Sequence, residues 1–484
     1  MFIRCGAALV LGACCVLLTA IVLAFAAWVP HARLGDDEYI TFYNYLKDGL
    51  GFYVWRISVW SPRPLSEFFL YVSARFLPVL GPSLAPWMLA VFWAGFLASP
   101  FVTARRRPIA TLPWRWLTGA AVLVAMIVFR HPGDTLYWPQ AAAAYLTGVI
   151  GLVLALFVIA DGRHAGPWGQ ILLALCIGIV VLSVELGAMF GVAYGGLAAL
   201  LAIRRRQTAA LVANACVLAV AGTEIWIMMR YRGAMLSEGI GDPAIVHHLR
   251  HSIRAALIAM PADLLTPDGR ITPEGPTRDE LAWGVAPLAA FAAGFALCWP
   301  RAWTRRPDRP ALGVLALACL ATAPLALAAS YYQTGLPCCM RHAAFRHQLL
   351  MLALVAIAMG AASSAIGHAQ RRAGREIAAS AVGAVLLTAS LAWPFLQLWP
   401  DLRQDYAMRH VVDELNRMNW QSGKSPGAAM TYQRLPKLAV VGIDDQVIAP
   451  GHHELSPKTG WSEKGMMFLF GKTSLTVIDY DNKN

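Results

Sequence analysis

Apolar residues in this chain come in blocks of roughly twenty, separated by short polar or basic stretches. A block of that length crosses about 30 Å of hydrocarbon at a rise of about 1.5 Å per residue. Lipid offers the backbone no hydrogen-bond partner, so each block is expected to be a helix. The blocks fall at 5–28, 85–104, 115–130, 140–160, 169–184, 186–203, 208–228, 281–300, 311–330, 346–366 and 377–397. The pattern predicts an all-α integral membrane bundle of about eleven transmembrane helices. The first block, Cys5 to Trp28, is too long for a cleaved signal and reads as a retained helix. Leu65 to Leu80 is also apolar, but it carries Glu67 and Arg75 and is broken by Pro78 and Pro82. It reads as an interfacial helix rather than a crossing.

Composition agrees with the pattern. The chain of 484 residues is 58% hydrophobic and 14% charged, against about 25% charged in soluble domains. The net charge of +12 comes largely from arginine clusters. These are Arg105-Arg106-Arg107, Arg204-Arg205-Arg206, Arg301 with Arg305-Arg306, and Arg371-Arg372 with Arg375, all in short loops between apolar blocks. The positive-inside rule makes those loops cytoplasmic, together with the N-terminus, and eleven crossings leave the C-terminus outside. The basic balance is thus a topology signal, and no nucleic-acid motif accompanies it. Cys14, Cys15, Cys176, Cys216, Cys298 and Cys319 read as small packing residues, whereas Cys338-Cys339 lies in an outer loop.

The expected organisation is a transmembrane domain over 1–400 and an outer C-terminal region over 401–484. Outer loops are expected at 31–86 and 229–280, the latter carrying His247-His248, Arg250, His251 and Arg254 on an amphipathic helix. The tail reads as a helix from Asp401 to Trp420, a break at 422–427, and strand-like runs at Leu438 to Val441 and Met467 to Phe470. That gives a small mixed α/β region.

Candidate chemistry gathers at the outer face. Asp36, Asp37 and Glu38 follow the first helix directly, and three adjacent acids at a bilayer lip repel one another. They read either as a helix N-cap or as a carboxylate site. An amphipathic run, Tyr39 to Leu46, comes next, followed by Trp55-Arg56 and Arg63-Pro64. A second group is Arg130, His131, Tyr137 and Trp138 in a short loop, read as an aromatic belt or a sugar-stacking lining. A third is Arg341, His342 and Arg346, basic groups at an outer lip that call for an anionic partner. Glu185 and Glu224 lie in or at the ends of membrane helices, where acids are costly and candidates for function.

This layout resembles the GT-C glycosyltransferases: a first helix, acids in the first outer loop, then an arginine- and aromatic-containing stretch leading into a proline-started helix. More narrowly, it resembles the bacterial polytopic members that decorate O-antigen or other envelope glycans. The sequence departs from the commonest pattern in having three adjacent acids and Ser-Pro-Arg63-Pro. The resemblance implies a GT-C-like fold in a bacterial inner membrane. It further implies inverting transfer of a sugar from a polyprenyl-phosphate donor to a glycan or lipid acceptor at the periplasmic face. Asp36 or Asp37 would be the general base, with Glu38 positioning the acceptor. Arg56, Arg63, Arg341 or Arg346 would hold the departing phosphate. Arg130, His131, Tyr137, Trp138, His342 and Glu185 would line the site. No cofactor or metal is implied, and the sequence holds no P-loop, GxGxxG, HExxH or Cys/His spacing. Two other classes compete. One is an O-antigen polymerase or ligase working through Arg250, His251 and Arg254. The other is a transporter or flippase of lipid-linked glycans, against which the absence of an internal repeat counts.

Overall fold

The computed structural model describes residues 2–35, 37–60, 62–102, 111–129, 133–231, 248–265, 278–302, 307–337, 340–369, 373–427, 429–435, 438–441 and 448–480. In chain order the helices are α1 (Phe2–Ala26), α2 (Asp37–Asp48), α3 (Leu50–Trp55), α4 (Pro64–Leu80), α5 (Leu84–Val102), α6 (Leu112–Val128), α7 (Gly133–Leu136), α8 (Pro139–Ala160) and α9 (Pro167–Ser183). There follow α10 (Glu185–Arg205), α11 (Thr208–Tyr231), α12 (Leu249–Leu265), α13 (Arg278–Ala302), α14 (Arg309–Thr334), α15 (Met340–Ala369) and α16 (Ala373–Lys424). The tail adds β1 (Ala429–Arg434), β2 (Gly451–Glu454), α17 (Trp461–Phe470) and β3 (Ser474–Asp479).

The chain is an all-helical, multi-pass membrane bundle with a small mixed tail. Among the described residues each of the apolar blocks of the sequence is mainly helical. Among the described residues, eight helices are long and apolar enough to cross a membrane; Leu112–Val128, Pro167–Ser183 and Gly284–Pro300 are shorter apolar helices. One of the eight candidates runs from Pro64 through Val102, so the segment read as interfacial lies within a candidate span.

The chain divides into two compact units that do not follow chain order. The first comprises 1–24, 95–130 and 147–397; the second comprises 25–94, 131–146 and 398–484. The last passage from the first to the second is at 397/398.

The first unit is packed through small residues and closed by buried ion pairs. A Cβ at Gly187, Gly191 or Gly195 would meet Val180 of α9 or Ala221 and Leu218 of α11, so this row of α10 lets three helices approach closely. Gly294 of α13 and Gly383 of α16 meet backbone to backbone. The Arg115 guanidinium donates to both oxygens of Asp161, at 2.8 and 2.9 Å, and both side chains are buried. Asp308 caps α14 and accepts from Arg205 at 2.5 and 2.8 Å and from His164 at 3.2 Å. Burial would raise the Asp308 carboxyl, but the hydrogen bonds from Arg205 and His164 outweigh it and hold it well below the ordinary range.

In the second unit the tail sheet has the order β1-β3-β2, with β1 parallel and β2 antiparallel to β3. Two expectations for the tail are corrected here. Met467 to Phe470 is the end of α17, bounded by Gly460 and by Gly471 at φ 63°. The residues 438–441 form a turn in which Asp405 accepts the amides of Ala439, Val440 and Val441 at 2.9–3.0 Å. The apolar content of each run was visible, but such short runs do not distinguish strand from helix or turn. Asp401 to Trp420 is helical as expected, as part of α16, which continues through Trp399 and Pro400 to Lys424.

Candidate functional site

The acidic turn is built by one carboxylate acting as a staple. The amide of Glu38 donates to the Gly35 carbonyl at 2.9 Å, and the amide of Gly35 donates back to Glu38 Oε2 at 2.7 Å. The other oxygen, Oε1, accepts the amide of Gln140 at 2.7 Å. Gln140 is the second residue of α8, where backbone N–H groups have no partner inside the helix. Glu38 is fully buried. Its charge is therefore matched by two backbone amides and the positive end of α8. Asp37 opens α2 and is half-buried. Asp36 lies outside the described residues.

The tail encloses this turn within the second unit. Trp28 stacks on Tyr406 at 6.0 Å and 9°, and His31 bonds to Asp413 at 2.8 Å. Buried Arg33 donates to the Tyr432 hydroxyl at 3.4 Å. Helix α17 packs on α2: Tyr43 stacks on Phe468 at 5.2 Å, and a Cβ at Gly465 would sit 2.6 Å from the Ile40 amide nitrogen. The sequence reading found no role for the residues after Ser422; packing against the acid-bearing helix supplies one.

The other face of α2 meets a buried charge cluster. Arg56 donates to Glu67 through Nε at 3.0 Å and Nη2 at 2.8 Å, and the Tyr45 hydroxyl donates to Glu67 Oε2 at 2.6 Å. Arg63 stands 3.6 Å from Glu67 Oε1. Glu67 is wholly buried, while the Arg63 side chain keeps 12% of its exposure. Burial, then the Glu67 charge and hydrogen bond, push the Tyr45 hydroxyl above its ordinary range, so it stays a neutral donor. Two guanidiniums thus share one carboxylate. Around them Leu50, Val54, Trp55, Val59 and Trp60 are exposed, and Trp55 stacks on Phe52 and Trp60. Exposed apolar groups over a buried charge cluster suit a segment at the lipid interface.

The remaining sequence candidates are divided between the two units. Tyr137 is buried, stacks on Trp93 at 5.9 Å and donates to the Phe25 carbonyl at 2.7 Å; Trp138 is half-buried before α8. In the first unit, Glu185 opens α10 and is buried within electrostatic range of Glu224. Arg341 and His342 lie half-buried in the first turn of α15. Arg346 is fully enclosed and bound to both oxygens of Asp263 at 2.7 Å each, and His347 meets the Leu264 carbonyl at 3.2 Å. An exposed lip was expected for Arg346, but α12 covers it. Arg130, His131 and Cys338-Cys339 lie outside the described residues, as do 232–247 and 266–277 of the long loop.

Sequence reasoning missed Glu67, Asp263 and Tyr45. Glu67 was seen only as a charge interrupting an apolar run. Its spacing of four from Arg63 was the available signal. Among the described residues no three His, Cys, Asp or Glu side chains converge as metal ligands would. A small cavity of about 30 Å³, partly open to solvent, lies beside Arg205 and His164 and is lined also by Tyr194 and Asn214; none of the candidates lines it. No family model, curated protein or solved structure matches the chain.

Proposed function

We propose that the chain is a GT-C-like glycosyltransferase of a bacterial inner membrane. It would move a sugar from a polyprenyl-phosphate donor to a glycan or lipid acceptor at the periplasmic face. One observation carries the reading. A pinned acidic turn and a two-arginine cluster lie on touching elements of one compact unit. Asp37 precedes Tyr45, which contacts the cluster, by eight residues of α2, about 12 Å of helix rise. A line from base through acceptor hydroxyl, anomeric carbon and phosphate to guanidinium has a comparable length.

In this reading Asp36 or Asp37 takes the acceptor proton as the hydroxyl oxygen attacks the anomeric carbon. The bond from that carbon to the phosphate oxygen breaks, and the phosphate leaves with its electron pair. Arg63, held less tightly by Glu67 than Arg56 is, meets the growing negative charge. Glu38 holds the turn in place rather than touching the substrate.

The test is transfer from a labelled polyprenyl-phosphate sugar in membranes containing wild type, Asp36→Asn, Asp37→Asn or Arg63→Gln. Loss of a general base lowers the rate by about 10²–10⁴, so one Asp variant should fall that far while remaining folded. Near-normal transfer by both would overturn the reading. A second reading rests on the exposure of Arg250, His251 and Arg254 on α12, as an O-antigen polymerase or ligase would need. It gains if those three are essential and both Asp variants are active.

A further inference from the structure

Helix α12 exposes two kinds of group on one side. At about 100° per residue, Leu249, Ile253 and Leu257 fall in one sector, with Arg250, Arg254 and His251 in the next, where Ile258 is exposed among them. Leu249, Ile253 and Leu257 are 64%, 43% and 56% exposed, and the three basic residues are exposed as well. The opposite side, Ser252, Ala256, Ala259, Ala262 and Asp263, is buried. Ala256 and Ala259 pack on Leu327 and Tyr331 of α14, while Asp263 is clamped by Arg346 of α15. The orientation of α12 is therefore fixed by the bundle, so the mixed face is presented outward by construction.

Water alone would favour the arginines but leave three large aliphatic side chains wet. Hydrocarbon alone would accept the aliphatic row but not the guanidiniums. Both rows are satisfied together at a lipid surface, where tails meet Leu and Ile and headgroups meet Arg. The helix is also not among the apolar spanning candidates. We propose that α12 lies along the bilayer surface and binds anionic phospholipid, with Arg250 and Arg254 on headgroup phosphates and Leu249, Ile253 and Leu257 among the acyl chains. This surface is independent of the glycosyltransferase reading.

The test is hydrogen exchange, followed by mass spectrometry, of the full-length protein in nanodiscs of phosphatidylcholine alone or mixed two to one with phosphatidylglycerol. Each arginine near an anionic surface contributes about fivefold. Exchange within 249–265 should therefore slow by up to roughly thirty-fold with phosphatidylglycerol, and high salt should erase the difference. The double variant R250Q/R254Q should lose the lipid effect, and R250K/R254K should keep it. Equal exchange in the two lipids would overturn the proposal. So would a lipid effect that survives R250Q/R254Q, or one that R250K/R254K loses. Protection that appears only with an added acidic soluble protein would likewise assign the face to a protein partner instead.

Discussion

Replacing Glu67 by Leu removes a buried negative charge from between two guanidiniums. The Glu67 and Arg56 side chains keep 0% and 5% of their exposure, so water cannot take over the lost role. Breaking a buried ion pair from one side costs about 3–5 kcal/mol, and Glu67→Leu is expected to cost about 4. The reverse change should be milder. With Arg56→Met, Glu67 keeps the Tyr45 hydroxyl and has Arg63 at 3.6 Å. At an effective dielectric of about 20, a pair at that separation attracts by about 5 kcal/mol before desolvation. Arg56→Met should therefore cost only about 2 kcal/mol. The double variant replaces the pair by apolar groups of similar size, which is often close to neutral. Because Arg63 then loses the Glu67 carboxylate 3.6 Å away, about 3 kcal/mol is expected, short of the sum of the single effects by about 3. Unfolding by titration with sodium dodecyl sulfate in mixed micelles, followed by circular dichroism, gives all three values. A cost for Glu67→Leu below about 1 kcal/mol, or strict additivity, would refute the shared-carboxylate argument.

Other outcomes follow from the same geometry. Glu38→Gln keeps one acceptor for two amides and should cost about 2 kcal/mol, read as faster hydrogen exchange in 35–48 and at the start of α8. Gly465→Ala places a Cβ against the Ile40 backbone, which cannot yield as a side chain would. The α17 contact should loosen by about 2 kcal/mol, and trypsin should cut faster at Lys458 and Lys464. Asp308 is a depressed carboxyl, so its contribution is complete above the unfolded value of about 3.9 and is lost as pH falls below it. Wild type should therefore lose stability on acidification between about pH 4 and 2 more steeply than Asp308→Asn, as measured by thermal unfolding across that range.

Much of the membrane part was legible because its signal is local. A block such as 140–160 has only one way to satisfy its backbone in lipid, and it became α8. Pro64 likewise marked the start of α4. The tail helix read from Asp401 is the end of a longer one, since α16 runs in from Ala373. Pairings between residues far apart in the sequence left no local trace. Asp263 gave no sign that it would clamp Arg346, nor Gln140 that its amide would reach Glu38. Tail residues such as Phe468 looked like a strand because their partner, α2, lies some 425 positions earlier in the sequence. The acids at 36–38 were visible as a group, but the division of labour within it depends on which carboxylate points at a helix end, and only the assembled fold shows that.

The closure of the second unit over such distances has a consequence for synthesis. His31 and Asp413 are separated by 382 positions, so the acidic turn leaves the ribosome long before the segment that encloses it. Until α17 is made, α2 lacks its contact with Phe468 and Gly465. A nascent or prematurely ended chain thus carries its acids without their surroundings. A chain stopped at Lys424 should insert its helices yet leave 31–48 open to protease, whereas the complete chain shields them. The packed form of this turn would then be the last feature the protein acquires, and a broken message would yield a membrane chain whose acidic turn is never enclosed.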